Sequence, residues 1–176
     1  MKQNIKLIAL VGVILFGSIT IALAAPKSQK EITYYLMSFT DQAGSKPFGC
    51  GEFLIPVKKK MKNPDLKKVL SEFTKAHITA MSPYEGSQAQ DKLFGFAFFL
   101  VDKIQEPKKP SSTNPIRVYL KQNPKIPGST MCDDPRATEP IKETISGYAG
   151  SRPVKIFFNG SEKEWRCFGD MSGLCQ

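Results

Sequence analysis

Residues 116–160 read "IRVYLKQNPKIPGSTMCDDPRATEPIKETISGYAGSRPVKIFFNG". The stretch opens with apolar residues at alternate positions, Ile116, Val118 and Leu120, the two-residue period of a half-buried strand. "NPKIPGST", with its prolines and glycine, turns the chain. The period then changes. Ala137, Ile141, Ile145 and Tyr148 fall on one stripe of a helix, with Asp134 as its cap and Pro135 at its first position. Pro140 removes one backbone bond inside that helix, which predicts a kink or a separate first turn. Gly147 and Gly150 are placed to end it, and "PVKIFFNG" is a strand closing on an Asn-Gly turn.

Outward from this unit the pattern stays mixed. "EITYYLMSF" (31–39) is a strand rich in β-branched and aromatic residues, followed by a polar loop, "TDQAGSKPFG". "EFLIPVKKKM" (52–61) is a second strand, in which Pro56 cannot donate to a ladder and so marks an edge or a bulge. Asn63 is the expected cap of a helix with Pro64 at its first position. Its apolar stripe is Leu66, Val69, Leu70 and Phe73, and Lys67, Lys68 and Lys75 lie on its wet side. Residues 77–92 have no sustained period and read as irregular. "LFGFAFFLVDKI" (93–104) is almost continuously apolar, which predicts a central strand covered on both faces. The proline-rich 105–115 is a loop and not a linker between two cores. The expected fold class is α+β: a single compact domain, a mixed or antiparallel sheet with two helices, stabilised by disulfides.

The N-terminus sets the compartment. Lys2 and Lys6 precede an apolar segment from Leu7 to Ala24 that closes on small residues, Ala22-Leu23-Ala24. This is the pattern of a signal peptide cut after Ala24, leaving residues 25–176 as the exported domain. An uncleaved segment of this length would serve as a membrane anchor. The expected location is extracytoplasmic, periplasmic or secreted.

All four cysteines, Cys50, Cys132, Cys167 and Cys175, lie in the exported part, where oxidation is allowed. An even count reads as two disulfides with three possible pairings. Cys167 and Cys175 flank a short glycine-containing loop, which leaves Cys50 for Cys132. Zinc would need CxxC or CxxH spacing, and the chain has neither; His77 is its one histidine. No metal and no cofactor are expected.

The formal charge of +9, with 25 Lys and Arg against 16 Asp and Glu, suits an anionic neighbour. Lys58, Lys59, Lys60, Lys62, Lys67 and Lys68 crowd the end of the second strand and the start of the first helix. They form a candidate patch, although lysines on a strand also guard its edge against aggregation. No RNP-type motif interleaves aromatics with basic residues, so nucleic acid is not expected as a partner.

Three catalytic readings are weak. His77 as a general base for Ser71 or Ser82 lacks a G-x-S-x-G elbow or a second histidine. Asp133 and Asp134, with Glu139 and Glu143 further along, have a structural role as helix-capping acids before any role at a cation. A cysteine nucleophile needs a free thiolate, which pairing removes.

"YYLMSF", "FGCGEFLIPV", a helix, then "CDDPR" leading a helix into "PVKIFFNGSEKEW" resemble the GerMN domain, a module of spore-germination and sporulation proteins and of other exported bacterial proteins. The resemblance covers about Glu31 to Trp165; the tail beyond is an addition. It implies a compact α+β fold and a binding or assembly role outside the cytoplasm, without an established catalytic centre. The function expected is therefore a non-enzymatic binding module in or near the bacterial envelope, whose partner is an envelope protein or anionic envelope component. A secreted factor or inhibitor acting on a foreign protein, or a small hydrolase, are the alternatives. Candidate contacts are the six lysines with Arg136, Asn159 and Trp165; Trp165 also suits an anchor for the tail.

Overall fold

A computed structural model describes residues 29–49, 51–80, 93–126 and 133–168. The expected signal segment, Cys50, Cys132, Cys175 and Ser82 lie outside the described residues. The elements are β1 (Gln29–Ser38), β2 (Lys46–Phe48), β3 (Glu52–Lys62), α1 (Leu66–Thr79), β4 (Phe99–Gln105), β5 (Ile116–Gln122), α2 (Asp133–Ala149), β6 (Val154–Phe158) and α3 (Glu162–Cys167).

The class is α+β, but the strands form two small sheets, not one. The first has the order β1-β3-β2 and is antiparallel; the second has the order β4-β5-β6, antiparallel between β4 and β5 and parallel between β5 and β6. Among the described residues a bridge links β1 to the segment that leads into β4, Met37 and Phe94 exchanging backbone bonds of 2.9 and 2.8 Å. No helix among the described residues is long and apolar enough to cross a membrane.

In the first sheet Ile32, Tyr34 and Leu36 alternate into the core beneath the helices. Tyr35 lies opposite Pro56 and turns both its backbone groups away from β3, its N–H to Thr144 Oγ1 at 3.3 Å and its C=O to His77. Tyr35 and Pro56 are therefore a non-hydrogen-bonded pair, and proline forfeits no bond to β1. Its outer side is open because β2 pairs with β3 only over Glu52–Leu54.

The cap of α1 is Asp65, which accepts the Lys68 N–H at 2.8 Å, and not Asn63. Asn63 has φ 47, a left-handed turn residue that asparagine tolerates, so the chain bends there and enters the helix two residues later. The stripe is as read, with Leu66, Val69, Leu70 and Phe73 buried, but the helix runs on through His77, Ile78 and Thr79, which the sequence reading assigned to an irregular segment, and His77 extends the buried face.

The run 93–104 is not a central strand. Its first half forms the seam between the sheets, and β4, starting at Phe99, is an outer strand. β5 is central instead, with Ile116, Val118 and Leu120 inward. α2 runs unbroken through Pro140 and starts at Asp133, so Asp134 lies in its first turn. Ala137, Ile141 and Ile145 are buried and Tyr148 is half-buried. Gly150, at φ 59, closes α2 with its N–H on Ser146 O.

After β6, Asn159 (φ 48) and Gly160 (φ 83) make the expected tight turn, with Phe158 and Ser161 paired across it. Ser161 then caps a third helix absent from the sequence reading, accepting the Glu164 N–H at 3.1 Å. Its Trp165 sits edge-on to Phe99, whose ring also meets Phe158 and Phe168. This aromatic cluster ties α3 to the second sheet.

Candidate functional site

The six lysines of the expected patch do not share one surface. Strand alternation puts Lys58, Lys60 and Lys62 on one face of β3 and Lys59 on the other, toward α1, where it pairs with Glu72. Lys58 pairs with Glu31 at 3.3 Å, and Lys68 with Asp65 at 3.7 Å. Lys67 lies across α1 from Glu72 and lines a different surface.

Of the other expected contacts, only Asn159 is exposed. Trp165 is 7% exposed, with Lys142 Nζ 5.9 Å above its ring, and forms one wall of a 280 Å³ pocket between α2, β6 and α3. Cys167, two residues on, is disulfide-bonded, and its partner lies outside the described residues. Arg136 is also interior. Its Nε donates to Glu52 Oε1 at 2.8 Å, its Nη2 reaches the same oxygen, and Nη1 donates to Asp133 at 3.1 Å. Glu52 is fully buried at the start of β3, so this pair clamps the glycine-flanked turn before β3 to the start of α2. Gly49 permits the clamp: it has φ 54, and a side chain there would lie 3.2 Å from Pro135.

His77 is sealed in. Its Nδ1 accepts the Phe96 N–H at 3.0 Å, which puts the ring proton on Nε2 to donate to Tyr35 O at 2.8 Å. Burial lowers its pKa to about 4. Both nitrogens are thus occupied by backbone, leaving no lone pair to take a proton from Ser71, an exposed residue of α1.

Among the described residues, a groove of about 820 Å³ runs between α1 and β4. Leu70 and Ile78 of α1 and Leu100, Val101 and Ile104 of β4 supply apolar walls. Lys67 and Lys75 of α1, Lys103 of β4 and Lys121 of β5 bring four cations, against one carboxylate, Asp102, which Lys121 holds at 3.2 Å. Ile78 is 53% exposed, one of the few large apolar side chains left in solvent among the described residues. Sequence reading singled out only Lys67 of these four as a contact and placed Lys75 on the wet side of the helix. The cations come from three elements whose proximity depends on pairing of β4 with β5. Comparison with protein-family models, curated proteins and solved structures finds no match.

Proposed function

We propose that the chain is an exported, non-enzymatic binding or assembly module of GerMN type, held by disulfides, which engages an anionic partner in or near the bacterial cell envelope. The observation that carries this reading is the groove between α1 and β4, where an apolar floor meets an excess of lysine. Such a surface favours an anionic ligand electrostatically while the apolar walls supply affinity. The sealed imidazole of His77 supports a structural rather than a catalytic role for the one histidine.

Affinity capture from envelope extracts with the exported domain tests the reading, with a Lys67→Glu, Lys75→Glu, Lys103→Glu triple variant as control. A partner retained by the parent and lost by the variant is the expected result. Equal capture by both defeats the groove as the site. Fractionation separates the envelope role from the secreted-factor reading: the protein is expected in the periplasm, not the medium.

A further inference from the structure

We infer that this groove takes an extended peptide segment, alternating acidic and apolar residues, that adds to β4 as a further strand; the inference rests on the binding-module reading above. β4 is the outer strand of its sheet, bonded to β5 along one side only. Among the described residues no hydrogen bond reaches the backbone of β4 from its other side.

The lining shows where that open side points. Leu100, Val101, Asp102, Lys103 and Ile104, five consecutive residues, all border the groove. Val101 and Ile104 lie opposite Leu120 and Val118 on the buried face, whereas Leu100 and Lys103 lie opposite Lys121 and Tyr119 on the outer face. A groove touched by both faces of one strand runs along its backbone edge. Over these residues the edge is about 17 Å long, enough for a short strand.

The occupant follows from the chemistry of the walls. An added strand sends alternate side chains to opposite faces. One set meets Leu70, Ile78, Val101 and Ile104, with Lys67 and Lys75 beside them on the same stripe of α1; the other meets Lys103 and Lys121. Acidic residues in the second set gain charge complementarity. A second copy of this chain would bring lysine against lysine, which disfavours edge-to-edge pairing. The register shift between Val101 and Lys103 limits pairing further and keeps the edge from acting as a general template.

The test uses the oxidised exported domain and a short peptide alternating glutamate and valine, with hydrogen exchange and fluorescence anisotropy as readouts. Binding is expected with slowed exchange at Leu100–Ile104 amides. N-methylation of one alternate set of peptide amides, the set facing β4, is expected to weaken binding about tenfold or more, while methylation of the other set leaves it intact. Lys75→Glu with Lys103→Glu is expected to weaken the parent peptide by a similar factor. If both methylated peptides bind as tightly as the parent, strand addition is wrong and the binding-module reading survives. If the acidic peptide fails to bind and envelope capture is also insensitive to the lysine changes, both fall. If the same amides are protected without peptide and the protein sediments as a dimer, the edge belongs to a second copy and the inference is overturned.

Discussion

The ring of His77 stands in for a neighbouring strand: its Nε2–H donates to the Tyr35 carbonyl at 2.8 Å, on the edge of β1 that faces away from β3. On its other side Nδ1 takes the N–H of Phe96. The ring therefore carries, by side chain, a hydrogen-bond link between β1 and the segment that leads into β4, and the Met37–Phe94 bridge continues it.

His77→Phe keeps an aromatic ring but strands a buried carbonyl and a buried N–H. A loss of about 2–4 kcal/mol is expected in urea unfolding. A loss within about 0.5 kcal/mol would mean that water or backbone movement satisfies both groups.

Acid should act at the same place. The folded-state pKa of His77 is depressed from 6.5 to about 4 by burial, so between these values the unfolded chain binds the proton that the folded one refuses. Its contribution to stability is intact above pH 6.5, falls as pH drops toward 4, and levels off below. The full span is about 3 kcal/mol. Unfolding measured across this window should slope less in His77→Phe than in the parent; parallel slopes would remove His77 as the cause.

Gly95→Ala tests how tightly the seam closes. A methyl group there would lie 2.4 Å from His77 Cα and 2.6 Å from its carbonyl oxygen, both backbone atoms. Helix α1 has to move, at a cost of about 3 kcal/mol. Thermal unfolding unchanged from the parent would show that the two segments are not in contact.

Arg136→Met leaves the Glu52 carboxylate buried without its cation, and about 3–5 kcal/mol should be lost. Adding Glu52→Leu should return most of that, because an apolar pair does not carry the desolvation cost. If the double variant is as unstable as the single one, packing and not charge governs the clamp.

The disulfide frame is expected to join Cys167 to Cys175 and Cys50 to Cys132. Mass spectrometry of unreduced digests reads the pairing directly. A peptide joining Cys50 to Cys167 or Cys175 contradicts this frame.

Elements with a local signature were legible in the sequence. The alternation in β5, the stripe of α2 and the Asn159-Gly160 turn each depend on neighbours a few residues away. The first helix was legible as far as Phe73, but its last turn was not: His77, Ile78 and Thr79 read as irregular because polar residues break the apolar period there, and the helix runs on to Thr79. What the pattern hid was pairing. An unbroken apolar run serves equally as a central strand or as a seam, and the two are told apart by pairing: the Met37–Phe94 bridge and the edge position of β4. α3, six residues long, is too short to show a period. Of the site, the positive charge was visible, but its division between two surfaces follows from strand alternation and from which face of α1 meets β3. The Glu52–Arg136 pair spans 84 residues, beyond the reach of any window.

That separation governs how the molecule can be assembled. A chain complete only through α1 lacks everything α2 supplies to the first sheet: Thr144 for the Tyr35 N–H, Arg136 for Glu52 and Glu143 for Lys46, partners 109, 84 and 97 residues away. The N-terminal half consequently has its strands in hand and its partners still to come. Such long-range closure slows folding, because the loop entropy is spent before the contacts repay it. It also makes the protein indivisible: a fragment ending before α2 is an unfinished sheet with an unpaired acid, not a smaller domain.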